Sequence, residues 1–352
     1  MNSHEHRPNG EARVPLVVEP GVSSDGPGLL QAFAPSSADS RFRMTPRRRA
    51  ATRAALVLIC ALWAATTACE PQGRFVVVYA SQDQVYAEPL LRRFTEKTGI
   101  EARAVYDSEA VKTVGMANRL IAERERPVAD VFWGNEELRT RQLDQMGLFE
   151  TTPGWASIGW RSRCLIHHTN LAPNPPLTLA ELTNATWKGR VALAYPMFGS
   201  TATHFVVLRQ RWGEEAWLRW CRALQANSPL LLEGNSQVAH AVAAGRAHIG
   251  LTDTDDYHEE TNGRPHVARV PLSSEFLRLP NTVAIVKGGP HPLEARALQE
   301  FLRSPEVASL LVSQHALEGA EAESKTSPPI DWPRLVRELG PAMDQLGQVF
   351  LR

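Results

Sequence analysis

The chain has 352 residues, enough for two lobes with cores of their own, and its 38 Lys and Arg are matched by 38 Asp and Glu. That balance argues against the basic surplus of a nucleic-acid-binding protein. A mean hydropathy of −0.25, with no apolar stretch of spanning length after residue 70, argues against a multi-span membrane protein.

Residues 1–43 are rich in Pro, Gly, Ser and charge and show no periodicity, a composition that cannot bury a core. The pattern changes at Met44: Thr45-Pro46-Arg47-Arg48-Arg49 is cationic, Ala54 to Ala65 is apolar, and the small residues Thr66-Thr67-Ala68 lead into Cys69. This is the order of a secretory signal, and about twelve apolar residues are too few to span a bilayer. Since such a signal begins a chain, translation is expected to start at Met44 and residues 1–43 to be a mis-assigned start. A genuine extension is the alternative. Residues 44–68 are then the signal and 69–73 an anchored leader. The approach to Cys69 is similar to the bacterial lipoprotein processing site, where the cysteine is lipidated, although Thr66 stands where such sites usually carry Leu. Plain cleavage nearby is the alternative. The expectation is an exported protein, periplasmic or at the cell surface, held to the membrane by lipid on Cys69, with no nucleic-acid partner. Of the 4 cysteines, Cys60 leaves with the signal. Cys164 and Cys221 remain, as a disulfide or as two buried thiols, and no Cys/His spacing suggests zinc.

From Arg74 strand and helix signals alternate. Phe75 to Ala80 is a β-branched and aromatic run, read as a buried strand. Tyr86 to Lys97 sets Leu90, Leu91 and Phe94 on one helical face and stops at Gly99, a helix C-cap. Glu101 to Tyr106 is a second strand, Ala110 to Arg124 a second helix, and Ala129 to Trp133 a third strand, followed by a helix ending near Gly147. The order β-α-β-α-β predicts a parallel sheet with right-handed crossovers. A second series starts near Pro175, where Thr178 and Glu181 have capping-box spacing. It continues with a strand over Arg190 to Ala194 and a helix over Thr201 to Trp212. The next helix, Gly213 to Ala226, turns Trp217, Trp220, Cys221 and Leu224 inward. Ser236 to Ala244 is a helix closed by Gly245, His248 to Leu251 a strand, and Thr282 to Lys287 another, with helices from Pro292 and Pro305.

Two α/β series predict two lobes, each a mostly parallel sheet flanked by helices, with a cleft between them. Ligands of open α/β sheets bind beyond the carboxyl ends of strands. That rule selects Ser81-Gln82-Asp83, Gly134-Asn135-Glu136, Gly199-Ser200-Thr201 and Thr252 to Asp256.

At these residues the chain resembles the periplasmic ferric-ion-binding protein family, a branch of the type II solute-binding proteins. The likeness runs from about Phe75 to about Gln314. It is carried by Val78-Tyr79-Ala80-Ser81-Gln82, Phe94-Thr95-Glu96-Lys97-Thr98-Gly99-Ile100, Ala129-Asp130-Val131-Phe132 and Arg161-Ser162-Arg163. The longest stretch is Asn235-Ser236 with Ala239, Ala241-Val242, Gly245 and Gly250-Leu251. The resemblance implies a type II periplasmic binding fold that closes on its ligand and presents it to the permease of an ABC importer. It implies a monomer with no tightly bound cofactor, Fe(III) as transported ligand and a synergistic anion. It also implies crossovers near Arg161 and Leu272. The first lobe is then discontinuous, 74–162 and 272–320, around a second lobe at 163–271, with 321–352 packing on the second lobe.

The site departs from the family. Where ferric-binding members carry paired tyrosines, this chain has Asp255 and Asp256, followed by Tyr257. Where they carry a histidine ligand it has Asp83, and the family glutamate falls on Asn135 or Glu136. Converging carboxylates need a cation or protons to compensate them, and hard oxygen donors favour hard cations. Asp83, Asn135, Glu136, Asp253, Asp255, Asp256 and Tyr257 are therefore the candidate ligand residues. The carboxylates could equally salt-bridge a small cationic organic ligand, and Asp253, Asp255 and Asp256 could simply cap a helix. Ser200 and Thr201 open a helix at a turn suited to an anion, with Arg161 and Arg163 in reach, or serve as an ordinary N-cap. A phosphonate would use the same turn.

Weaker signals fall away. Asp253, Asp255 and Tyr257 have EF-hand spacing, but the required Gly and closing Glu are His258 and Arg264. His167 and His168 are neighbours on a strand and point to opposite faces. Trp133 is placed at the cleft edge, where it could stack on a sugar. A metal-dependent hydrolase is the remaining class, yet no Gly-x-Ser-x-Gly or His-Glu-x-x-His motif is present, and no enzymatic activity is expected.

Overall fold

Alternating apolar runs and amphipathic helices build one continuous α/β body in the computed structural model, which describes residues 73–107, 112–262, 265–270, 275, 277–320 and 329–351. The expected signal, the start at Met44 and the lipid site at Cys69 lie outside the described residues.

Strand β1 (Phe75–Ala80) pairs in parallel with β2 (Glu101–Tyr106), Phe75 opposite Glu101 and Ala80 opposite Tyr106. Helix α1 (Gln84–Thr98) joins them and buries Tyr86, Ala87, Leu90, Leu91 and Phe94. It ends at Gly99, whose φ of 69° lies in the left-handed region and whose N–H donates to the Thr95 carbonyl. Only glycine adopts that conformation without a Cβ penalty. Helix α2 (Lys112–Ala122) leads to β3 (Val131–Gly134), parallel to β1, and then to α3 (Glu137–Gln145).

The second series repeats the plan. Strand β5 (Val191–Ala194) lies between β6 (Leu230–Leu232) and β7 (Ile249–Asp253), all three parallel. They are connected through α4 (Gly199–Trp212), α5 (Glu214–Ala226) and α6 (Asn235–Ala243). Helix α5 buries Trp217, Trp220, Cys221 and Leu224, the set its periodicity selects. Helix α7 (Thr254–Thr261) follows β7, and β8 (Val267–Arg269) pairs with β4.

The halves are joined by β4 (Ala156–His168), a 13-residue strand that belongs to both. Its first part, Ala156 to Ser162, runs antiparallel to β9 (Arg278–Ile285), which also pairs with β3. From Arg163 onward its partner is β7. The strand order is therefore β2-β1-β3-β9-β4-β7-β5-β6. Helices α8 (Pro292–Leu302) and α9 (Pro305–Ser313) both begin on proline, the residue suited to a first helical turn. The architecture is the two-lobed type II periplasmic binding fold, with antiparallel seams where β4 and β9 pass between the parallel triplets.

The core follows this division. Val76, Val78, Leu90, Phe94, Trp133, Leu298 and Leu311 pack on the first half. Leu165, Leu193, Phe205, Trp217, Leu224 and Leu251 pack on the second. Helix α10 (Trp332–Phe350) buries Leu335, Leu339, Ala342, Leu346 and Phe350 along one stripe and lies against α3, α4 and α5. Two features differ from the sequence reading, and one alternative it left open is decided. Thr178 stands before, and Glu181 within, the first of two 3₁₀ turns and no α-helix: Thr178 Oγ1 accepts from Glu181 N–H at 3.4 Å, but Glu181 Oε2 accepts from Leu177 N–H at 2.9 Å, so the reciprocal bond of a capping box is not made. Strands β6 and β8 have three residues each, too few to show a period. Cys164 and Cys221 are buried free thiols.

Candidate functional site

Five helix N-termini converge on one cleft. The residues at or just before the first turns of α1, α3, α4, α6 and α7 are Asp83, Asn135, Phe198, Gly234 and Asp253, and all five line it. Arg161, Tyr195, Ser200, Thr201, Glu233, Asn235, Asp255 and Asp256 complete the lining around a cavity of about 50 Å³. The helix ends give the cleft a positive backbone potential, and the carboxylates set against it are unusually many.

The centre is a buried charge cluster built by strand geometry. Side chains two apart on β4 share a face, so Arg161 and Arg163 both point at the end of β7. Asp253 is 1 % exposed and lies directly opposite Arg163 in the β4–β7 register. Arg163 Nη1 donates to its Oδ1 at 2.6 Å and Arg161 Nη2 to its Oδ2 at 2.9 Å. Ser200 Oγ donates to the same Oδ2 at 2.6 Å. Burial by itself would raise Asp253, but Arg163, Arg161 and the Ser200 hydroxyl override it and hold the carboxyl below its ordinary range. As the N-cap of α7, Asp253 makes no side-chain capping bond.

Asp255 is the contrasting case. Its Oδ2 lies 3.1 Å from Arg161 Nε, while its buried Oδ1 has no hydrogen-bond partner. Burial pushes it up to about 7, against Arg161 and with help from Asp253 and Asp83. Asp256 Oδ2 accepts from Thr252 Oγ1 at 3.4 Å. Each of Asp253, Asp255 and Asp256 can place one carboxylate oxygen within 4.8 Å of the others, all three buried. This is a donor set of hard oxygens suited to a hard cation.

Arg161 sits among the acids and spends its donors on protein. Besides the aspartates, Nη1 donates to the Asn135 carbonyl at 2.6 Å and to Asn281 Oδ1 at 2.9 Å. Burial opposes its charge, yet Asp255, Asp253, Asp83 and Asp256 raise its pKa above the ordinary arginine value. The guanidinium expected to serve an anion is paired here with Asp253 and Asp255, as their counter-ion. Behind Arg163, burial and then that arginine push His204 down to about 3, so this imidazole adds no charge.

The structure brings Asp83, Asn135, Arg161, Ser200, Thr201, Asp253, Asp255 and Asp256 to the cleft. Glu136 and Tyr257 do not line it. Glu136 is fully buried as the N-cap of α3 and accepts from Leu138 N–H at 2.7 Å, Arg139 N–H at 3.1 Å and Thr203 Oγ1 at 2.8 Å. Tyr257 packs beside the Val238 and Val242 cluster, with its ring edge-on to His258. Trp133 is fully buried among Leu90, Phe94 and Val283, so it is a core residue and not a cleft wall. Sequence reasoning left Arg163 and Asn235 out of its ligand set and missed Tyr195 and Glu233. Tyr195 and Glu233 follow β5 and β6 directly, and the strand-end rule would have found Glu233 had the three-residue β6 been recognised. Asn235 links the parts: its Nδ2 donates to Ser200 Oγ at 2.8 Å, and its Oδ1 accepts from Arg163 at 2.9 Å and from Thr201 at 3.2 Å.

A long strand shared by both halves, with a polar cleft at the switch point between two parallel triplets, defines a two-lobed binding protein. The sequence profile of the bacterial extracellular solute-binding proteins matches residues 75–315. The major ferric iron-binding protein of Neisseria meningitidis is 25 % identical over 295 residues, 76 % of this chain and 85 % of that protein. Its counterpart in Neisseria gonorrhoeae is 24 % identical over 294 residues. Iron-bound HitA from Pseudomonas aeruginosa superposes with a TM-score of 0.67 at 19 % identity, covering 79 % of this chain and 99 % of HitA. AfuA from Actinobacillus pleuropneumoniae, with fructose-6-phosphate bound, gives 0.69 at 18 % identity, covering 80 % of this chain and 99 % of AfuA. The chain belongs to the bacterial extracellular solute-binding protein family. Such proteins bind solutes for ABC importers, and among the described residues no helix is long and apolar enough to cross a membrane.

Proposed function

We propose that this protein captures ferric iron, or a similarly hard cation, and delivers it to the permease of an ABC importer by reversible closure of its halves. The observation that carries this reading is the buried Asp253, Asp255 and Asp256 cluster, with oxygens within 4.8 Å of one another, in a cleft that Asp83 also lines. Asp255 and Asp256, joined by Asp83 from the other half, are the proposed ligands, because Asp253 is already neutralised by two arginines. A synergistic anion would sit on the first turn of α4 at Ser200 and Thr201, where the N-cap Phe198 provides no side-chain acceptor. Tyr195 lines the cleft, but Asp255 and Asp256 stand where the ferric-binding family carries its paired tyrosines, so the proposed site is a carboxylate variant of that ferric site. Lipid on Cys69 would keep the protein at the membrane, which mass spectrometry of the membrane fraction would test.

Arg161 favours a second reading. A cleft that already holds its own counter-ion can bind a small organic ligand, a cationic amine on the carboxylates or a phosphate or phosphonate on the α4 turn. Thermal unfolding of chelator-stripped protein with and without ferric citrate separates the two. A ligand that binds only the folded state adds about 2.7 kcal/mol at a hundredfold excess over its Kd. A saturable rise that Asp255→Ala with Asp256→Ala abolishes supports iron capture. No rise with iron, and a rise with an amine or phosphonate, supports the second reading.

A further inference from the structure

We propose that Arg161 sets the cation affinity of this cleft: its guanidinium is an internal counter-ion that an incoming cation must displace from Asp255. The inference rests on the cation reading above and assigns to Arg161 a role in selecting the ligand.

Three observations carry it. The Arg161 side chain is 3 % exposed and bonds to both halves at once, to Asn135 O and Asn281 Oδ1 on one side and to Asp253 and Asp255 on the other. Asp255 is engaged on one oxygen only: Oδ2 faces Arg161 Nε, and Oδ1 is buried without a partner. A cation that takes both oxygens of Asp255 as ligands must therefore compete with the guanidinium for Oδ2. Asp253 keeps a second partner in Arg163 at 2.6 Å, so it stays compensated when Arg161 moves or is replaced.

A positive charge held this close to a cation site opposes a multivalent ion more than a monovalent one, because Coulomb repulsion grows with the product of the charges. Arg161 thereby offsets part of the attraction of the carboxylates for a bare trivalent ion and favours ferric iron that arrives with an anion. An arginine keeps its proton under all ordinary conditions, so this tuning is built in and not titrated away.

Equilibrium dialysis against ferric nitrilotriacetate at neutral pH tests the role. Wild type is compared with Arg161→Gln, which loses the charge and keeps an amide for Asn281, and with Arg161→Lys, which keeps the charge. Arg161→Gln is expected to bind about tenfold tighter or better, and Arg161→Lys to bind less tightly than Arg161→Gln. If wild type binds and Arg161→Gln binds no tighter, the counter-ion role is overturned while iron capture stands. If only Arg161→Gln binds, the role is supported and iron is not the native ligand. If neither binds, both fail. A measurement on wild type protects against a variant that does not fold. The Arg161 Nε–H resonance should shift on addition of gallium(III) nitrilotriacetate as its bond to Asp255 is broken. An unmoved resonance in protein that has bound gallium overturns the proposal.

Discussion

Arg163 and Asp253 face each other across adjacent antiparallel strands, ninety residues apart in sequence, with Nη1 2.6 Å from Oδ1 and both side chains buried. The pair pins the end of β7, and with it the start of α7, to the hinge strand. Removing one partner of a buried pair leaves an uncompensated charge, so Asp253→Ala is expected to cost about 3–5 kcal/mol. Urea unfolding checks the value. Because the folded carboxyl is held below its ordinary range, its contribution is present above the unfolded value of about 3.9. It is lost as pH falls through the lowered folded value, so acid titration of wild type should show an unfolding step that Asp253→Ala has already lost.

Asp255 works in the opposite direction. Its folded pKa, pushed up to about 7 by burial, exceeds the unfolded value of about 3.9. The folded state holds the extra proton between those values, so this group's contribution is full below the lower one and gone above the higher one. Asp255→Asn, neutral throughout, should stabilise the protein relative to wild type above about pH 7 and change little below about pH 4. Equal shifts in Tm at both ends would refute the assignment.

Glu136 is a cap and its role is separable from ligand capture. Its carboxylate accepts from two backbone N–H groups of α3 and from Thr203 Oγ1. Glu136→Ala is expected to lose about 1–3 kcal/mol of stability while ligand affinity in folded protein stays unchanged. A fall in affinity without a fall in stability would return Glu136 to the ligand set.

Gly159 marks the bulge in the hinge strand, where the β4–β9 register shifts. Its φ is 134°, and a Cβ there would lie 2.5 Å from Leu317 Cδ1 and 2.7 Å from the Gly319 carbonyl. That carbonyl cannot retreat, because it accepts from Trp160 N–H at 3.0 Å. Gly159→Ala should cost about 2–3 kcal/mol, read as a lower denaturant midpoint. A neutral substitution would show that the β4 edge is looser than these distances.

Local chemistry alone determined a good deal. The strands Phe75–Ala80 and Glu101–Tyr106, the cap at Gly99, the inward face Trp217, Trp220, Cys221 and Leu224, and the helix starts at Pro292 and Pro305 rest on neighbours a few residues away. So does the selection of Asp83, Asn135, Ser200 and Asp255 as strand-end residues, since order along the chain fixes which loops leave the carboxyl ends of parallel strands. What only the tertiary structure decided is how charge is paired. Whether an aspartate is a metal ligand, a cap or half of an ion pair depends on which arginine arrives from a distant strand, and no period or spacing encodes that meeting. Asp253 became the partner of two arginines on β4, Glu136 a helix cap, Tyr257 a packing residue and Arg161 a counter-ion, because buried charge must find its compensation in three dimensions.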